Sequence, residues 1–419
     1  MKKSNYLPIA VMFALFFMIA FVTNFAGSMG VIVKNQFNAS NALSQLGTFA
    51  NFIAYACMGI PAGLILKRKG YKFTALTAIL VGLSGVGIQW LSGYVESFGV
   101  YLIGAFIAGF SMCMLNIVVN PMLNTLGGGG NRGNQLIQWG GSCNSVGGTI
   151  APILLGYLIG GNVEAATVAD AAPAMMIAMG IFLFAGIVVF FSNIPEPHLN
   201  QSSITNHQSP IKDTHSPLSF RHFALGALAI FFYVGIEVGI PNMGNLYMSN
   251  DPLVGAQIAG TVVGLYWLMM LVGRFIGASI AGKVSSKRML TTVSLVGVLL
   301  LLTMIILPAE WTITFRSVQL PISMVLMVTC GLCTSVMWGA IFNLATEGLG
   351  KYTPAASGIF MTLVCGGGIL PLVQGWVADI PAVGYIGSYI VPIIGLCYIL
   401  FYAQWGSKNV NKDIPVSDN

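Results

Sequence analysis

Glu237 is the only acidic residue near the middle of any long apolar run in this 419-residue chain. An ionised carboxylate in hydrocarbon costs about 2.5 to 3.5 kcal/mol or more on insertion scales, so it must be neutral or partnered for part of any working cycle. That makes Glu237 a candidate for carrying a proton, with a permanently hydrogen-bonded structural role, or acceptance of a ligand hydroxyl, as the alternatives. Around it, the apolar runs contain few polar groups, and these are mostly amides and aromatics: Asn24, Asn116, Asn120, Gln138, Trp139, Asn144, Tyr233, Asn242, Asn245, Tyr266, Trp267, Trp338, Asn343 and Gln374. Amides donate and accept hydrogen bonds, and indole or phenol faces pack against apolar ring faces, which is what a neutral polyhydroxylated ligand requires. Each amide could instead hold helices together. The whole set, spread over both halves of the chain, favours a hydrophilic cavity that binds a sugar.

The elements that hold these residues must be membrane helices. Hydrophobic residues make up 56% of the chain, charged residues only 7%, and mean hydropathy is +0.82. A soluble domain carries about 25% charged residues. Stretches of about 20 apolar residues, enough to cross a hydrocarbon core of about 30 Å, recur at 7–33, 45–66, 73–93, 98–125, 134–160, 173–194, 221–248, 257–282, 288–308, 317–344, 355–379 and 384–405. A helix satisfies its own backbone in lipid and an open strand cannot, so twelve transmembrane helices are expected. The first run lies behind Lys2 and Lys3 like the apolar core of a signal peptide, but its length predicts a retained helix. Pro241, close to Glu237, predicts a break in the seventh helix and a freed carbonyl.

Charge placement gives an orientation. With both termini in the cytoplasm, all Lys and Arg except Lys34 and Arg316 lie on the inner side, whereas Glu96, Glu164, Asp170, Asp251, Glu310 and Asp379 lie outside. The net charge of +6 is thereby explained by topology and is not a nucleic-acid footprint. The seven cysteines all fall in apolar runs and read as small buried residues; Cys330 and Cys333 lack the second Cys/His pair of a zinc set, so no metal is expected. The glycines Gly127 to Gly130 precede no Lys-Ser/Thr pair, so they read as a turn rather than a phosphate cradle. No nucleotide motif, cofactor or enzymatic constellation appears, and transport powered by ATP within this chain is not expected.

Residues 195–220 form the one long polar interruption and divide the chain into a six-helix bundle at 1–194 and another at 221–406, with a cytoplasmic tail at 407–419. His198, His207 and His215 read as solvated linker residues. A repeat supports the division: Gly147-Gly148-Thr149-Ile150-Ala151-Pro152 with Gly156 recurs as Gly366-Gly367-Gly368-Ile369-Leu370-Pro371 with Gly375. Basic loops recur too, with Lys67, Arg68 and Lys72 after the second span, and Lys283, Lys287 and Arg288 after the eighth. The cations can anchor helix ends at the inner leaflet, and Arg274 belongs to the same inner-face cluster, with a gating or stabilising ion-pair role favoured over substrate contact.

These segments resemble the fucose-galactose-glucose proton symporter family of the major facilitator superfamily. The resemblance is carried by Ile60-Pro61-Ala62-Gly63 with Lys67 and Gly70-Tyr71-Lys72, by Asn120-Pro121, by Asn144-Ser145-Val146-Gly147, by Tyr233-Val234-Gly235-Ile236-Glu237-Val238, by Gly273-Arg274-Phe275, and by Gly366-Gly367-Gly368-Ile369 with Pro371. It implies two six-helix bundles around a central cavity, and a monomeric importer of a neutral hexose or small oligosaccharide in a bacterial inner membrane, surrounded by lipid. It implies proton coupling as well, and identifies Glu237 with the glutamate of the glucose and galactose branch and Asn144 with a family amide. Two carboxylates of the fucose branch are missing, one replaced by Asn116 and the other falling near Gly30-Val31. Coupling therefore rests on Glu237 alone, and a sodium-coupled carrier, a facilitator, or an exporter of drug-like or lipidic compounds stay open.

Overall fold

The computed structural model describes residues 6–127, 130–159, 166–194, 196, 215–280, 284–316, 318–349, 352–411 and 413–416. Most of the linker with His198 and His207, Gly128, Gly129 and Lys283 lie outside the described residues, as do the side chains of Gln138 and Arg132. Among the described residues, eleven helical segments are long and apolar enough to cross a membrane. One of them, Leu46–Val95, has 50 residues. At 1.5 Å per residue it would run about 75 Å, more than twice the hydrocarbon thickness. It is two crossings, because Gly70 (φ 84°, ψ 179°) interrupts it in a backbone region that glycine alone enters freely. The helix resumes under a carboxylate cap: Glu196 accepts the backbone N–H groups of Tyr71 (2.7 Å) and Lys72 (2.8 Å), and the Lys72 ammonium donates to Ser192 O at 3.1 Å. The chain thus makes twelve crossings, numbered here as spans 1 to 12.

Several spans depart from continuous helices. Span 1 is Tyr6–Ser28 followed by Gly30–Gln36, span 11 is Thr353–Leu363 followed by Gly366–Ala378, and span 12 is Gly384–Gly387 followed by Ile390–Phe401 and a π-helical turn at Tyr402–Gly406. Span 10 begins later than expected. Residues from 317 onward were read as helix, but Thr312–Phe315 (β1) and Val318–Pro321 (β2) pair antiparallel, with Thr312 opposite Pro321 and Phe315 opposite Val318. The β-branched and aromatic run of β1 favours a pleated strand, and Pro321 has no N–H for a helical bond. Helix starts directly after it, as Ile322–Thr334 and then Met337–Thr346.

Span 7 corrects another expectation. Arg221–Ser249 is one unbroken helix, and Pro241 lies inside it. The proline still removes the hydrogen bond to the carbonyl four residues earlier, which is that of Glu237. Tyr266 replaces the missing donor: its hydroxyl reaches Glu237 O at 3.2 Å and contacts Thr334 Oγ1 at 3.1 Å. The cysteines are also less uniform than expected, since Cys57 and Cys397 are exposed on the outer face, where Phe184, Phe191 and Ile306 also point outward. Apolar side chains on that face are what a lipid-facing surface requires.

The repeat explains how the spans meet. A Cβ on Gly147 would strike the Phe17 carbonyl of span 1, and one on its counterpart Gly366 would strike the Phe231 carbonyl of span 7. At the far end of each copy the partner changes. Gly156 abuts the backbone of Ala256 and Gly260 in span 8, and Gly375 abuts Asn41 and Ala42 at the head of span 2. Each copy therefore packs on the first span of its own set of six and on the second span of the other set. Small residues allow this close approach of helix backbones.

Candidate functional site

A cavity of about 490 Å³ lies among spans 1, 2, 4, 5, 7, 8, 10 and 11. It reaches the end of the molecule that carries the basic loops, where Val284, Ser285, Ser286 and Met289 line it. At the opposite end the helices meet. Asn242 donates to Gln45 Oε1 (3.1 Å) and Thr48 Oγ1 (3.3 Å), filling space that Gly27 leaves free.

Of the fourteen residues read from sequence as ligand contacts, Asn24, Asn116, Asn120, Asn144, Tyr233, Trp267, Trp338 and Asn343 line the cavity, together with Glu237. Four of the amides share one arrangement. Asn24 Nδ2 donates to Ala20 O (2.9 Å), Asn120 Nδ2 to Asn116 O (2.9 Å), and Asn144 Nδ2 to Phe16 O of span 1 (3.1 Å). Asn116 Nδ2 donates to Met112 O (3.1 Å) and to the Tyr55 hydroxyl (3.0 Å). In each, a backbone carbonyl fixes which way the amide points, because only the nitrogen can donate. The oxygens are left as acceptors, and among the described residues no protein group donates to them. The Tyr55 hydroxyl, accepting from Asn116, keeps its own proton available. The wall thus offers a row of acceptors with one phenol donor, suited to ligand hydroxyl groups.

Aromatic faces flank this row. Trp338 stands edge-on to Tyr233 with ring centres 6.2 Å apart, and Trp267 stands perpendicular to Tyr266 at 5.4 Å. Gly148 makes room for Trp267 and Asn24 together.

Glu237 and Arg274 stand side by side in the cavity lining: Oε1 lies 3.8 Å from Nη2, and each side chain is 14% exposed. That separation is a Coulombic pairing too long for a hydrogen bond. The other guanidinium nitrogen is held firmly by span 5, where Nη1 donates to the Gly141 carbonyl and to Ser145 Oγ (2.8 Å). Arg274, expected among the inner-face loop residues, therefore sits in the cavity wall and joins span 8 to span 5 beside the carboxylate.

The remaining residues lie elsewhere. Asn242 belongs to the closed end, Asn245 is buried beside Ser249, and Gln374 is 1% exposed with no hydrogen-bond partner for its Nε2. Tyr266 is fully buried behind Glu237, and Trp139 is 49% exposed and packs edge-on against Phe275 at 5.7 Å. Lys67 and Arg68 are exposed at the turn before Gly70. Tyr55 and Thr23 line the cavity without having been singled out from the sequence. Polarity inside an apolar run was the available signal for both.

The sequence profile described as Major Facilitator Superfamily matches residues 11–372. A glucose/galactose transporter of Brucella abortus biovar 1 (strain 9-941) is 29% identical over 402 residues, covering 94% of this chain and 93% of that protein. The L-fucose-proton symporter of Escherichia coli (strain K12) is 22% identical over 432 residues, covering 98% and 95% respectively. The crystal structure of the transporter FucP in the outward conformation is similar with a TM-score of 0.69 at 21% identity, covering 97% of this chain and 100% of that one. At that identity the structural likeness is one of fold.

Proposed function

Because the chain belongs to the major facilitator superfamily, we propose that it is a secondary active importer of a neutral hexose or small oligosaccharide, coupled to protons through Glu237. The observation that carries this reading is the set of four asparagines that line the cavity, with their nitrogens tied to the protein and, among the described residues, no protein donor to their oxygens. A ligand rich in hydroxyl donors satisfies such a row, and an indole face on either side accommodates the apolar faces of a sugar ring. The printed names of the relatives, a glucose/galactose transporter and an L-fucose-proton symporter, support the same substrate class. An exporter of lipidic compounds is disfavoured, since its ligand would leave these amide acceptors dry and without donors.

Transport proceeds by alternating access, with bundles 1–194 and 221–406 rocking about the cavity and the linker 195–220 joining them. The basic loops support a reading in which the open end faces the cytoplasm of a bacterium, across its inner membrane, with both termini on that side. Glu237 carries the coupling. Without its proton the carboxylate has Arg274 as a countercharge 3.8 Å away; with its proton it needs none and frees the guanidinium to hold span 5 alone. One charge change is thereby read by both bundles, since Arg274 lies in the second set of spans and Gly141 and Ser145 lie in the first.

Uptake into proteoliposomes, run with a panel of sugars and with imposed proton or sodium gradients, tests the reading. Glu237→Gln is expected to abolish proton-driven accumulation and to spare counterflow exchange of the same sugar. Proton-driven accumulation that persists in Glu237→Gln removes the residue from coupling, and accumulation driven by sodium alone reassigns the ion.

A further inference from the structure

At the end of the molecule opposite the open cavity, four side chains from the two sets of spans converge. Lys34, at the end of span 1, donates to Asn41 Oδ1 at 2.7 Å and to the Tyr385 hydroxyl, and its ammonium stands 4.8 Å from the centre of the Tyr385 ring. Asp379, at the end of span 11, accepts the backbone N–H groups of Asn41 (2.8 Å) and Ala42 (3.0 Å), which begin the short helix Asn41–Ser44. Gly375 brings the two backbones together, because a Cβ there would strike Ala42 Cα and Asn41 O. Beneath this layer lies the contact of Asn242 with Gln45 and Thr48, again between a late span and an early one.

We propose that Lys34, Asn41, Asp379 and Tyr385 are a latch that holds the non-cytoplasmic face shut and is undone each time the cavity opens to that side. The proposal rests on the alternating-access reading above. Its physical argument is one of placement and charge. Every bond in the cluster joins a residue before the linker to one after it, apart from Lys34 to Asn41, so separating the bundles at this end breaks them together. Both ionised groups are engaged at once, Lys34 as donor and Asp379 as acceptor, and charge-assisted hydrogen bonds are about twice as strong as neutral ones. The cytoplasmic end offers a contrast. Glu196 caps Tyr71 and Lys72 in the same way that Asp379 caps Asn41 and Ala42, but both of its partners lie within the first set of spans. Opening either face leaves that clamp intact.

The test reads conformation directly, without sugar or gradient, so that its result is independent of what the cavity carries. Ser28 is 6% exposed and lines a crevice with Pro152, Gly156, Asn245 and Ala256, between spans of the two sets. Ser28→Cys, labelled in whole cells by a membrane-impermeant maleimide, reports opening of the outer face; the parent chain, with exposed Cys57 and Cys397, is labelled in parallel and subtracted. Lys34→Met and Asp379→Asn are each expected to raise the Ser28→Cys labelling rate by about tenfold, the shift that loss of a charge-assisted bond from one of two states produces. Glu196→Gln is expected to leave it unchanged. Tyr385→Phe, which keeps the ring and removes the acceptor oxygen, carries the test should either charge variant fail to reach the membrane, and is expected to raise the rate as well. Rates within about twofold of the reporter alone in the latch variants overturn the proposal. Equal acceleration by Glu196→Gln overturns it too, since the effect is then general loosening. Either failure leaves the sugar-binding reading standing, and a chain that carries no sugar leaves the labelling result standing.

Discussion

Removing Asn144 isolates what one cavity acceptor contributes. Its nitrogen donates to Phe16 O at 3.1 Å, while the residue lines the cavity and, among the described residues, no protein group donates to its oxygen. Phe16 sits inside the helix Tyr6–Ser28, where its carbonyl also accepts from the backbone four residues on, so Asn144→Ala deprives no buried carbonyl of its last donor. The stability cost is accordingly small. What is lost is a hydrogen bond to the ligand, worth about 0.5 to 1.5 kcal/mol net, or about two- to thirteenfold in affinity. Asn116→Ala removes a second acceptor and also frees the Tyr55 hydroxyl to turn, so a loss in the same range is expected. If the two sites act independently, their free energies add, and the double variant falls by about five- to 150-fold. Trp267 and Trp338 stand in the same cavity wall, so quenching of intrinsic fluorescence on titrating sugar into purified protein measures the affinity without a label. Affinity unchanged in both single variants, with folded protein recovered, refutes placing the sugar on the asparagine row.

Other expectations follow from particular contacts. Glu237→Gln separates coupling from exchange, as set out above, and Lys34→Met with Asp379→Asn separates outer-face opening from transport. Gly147→Ala and Gly366→Ala each force a Cβ onto the backbone of a neighbouring span and are expected to destabilise by about 1 to 3 kcal/mol in thermal unfolding. Gly180→Ala, where a Cβ meets nothing within 4 Å, is expected to stabilise by about 0.5 to 1 kcal/mol, and a loss there equal to that at Gly366 would contradict the packing argument. Tyr266→Phe takes the replacement donor from the Glu237 carbonyl; an altered pH profile of uptake with sugar affinity retained is expected, and a loss of affinity alone would assign Tyr266 to the ligand instead.

The spans were legible because apolar length in lipid admits one solution, and the repeat was legible because backbone approach demands glycine at fixed spacing. Breaks within spans 1, 10 and 11 were not, since lipid imposes polarity and length on a segment but not continuity. Pro241 illustrates the difference: its lost hydrogen bond was foreseeable, but whether a helix breaks depends on whether a neighbour supplies a donor, and Tyr266 lies in another span. The candidate site divides similarly. Asn24, Asn116, Asn120 and Asn144 line the cavity, whereas Asn242, Asn245 and Gln374 do not. An amide in hydrocarbon has the same reason to avoid lipid whether it meets a ligand or another helix, so chemistry alone cannot sort them. For Arg274 a gating or ion-pair role was legible from its charge in an apolar run, but its place in the cavity wall beside Glu237 was not, because its loop neighbours pointed to the inner face.

The paired glycine stretches have a mechanical consequence. Where Gly156 meets span 8 and Gly375 meets span 2, peptide backbone rests on peptide backbone with no side chain between. A joint of that kind works as a plain bearing: turning one surface over the other asks no rotamer to change and no knob to leave its hole. Interlocking side chains such as Lys34 with Tyr385, and Asn242 with Gln45, would then act as removable pins in that joint. Bulk added to the bearing should slow the turnover of every substrate alike, and bulk added to the asparagine row should discriminate among them.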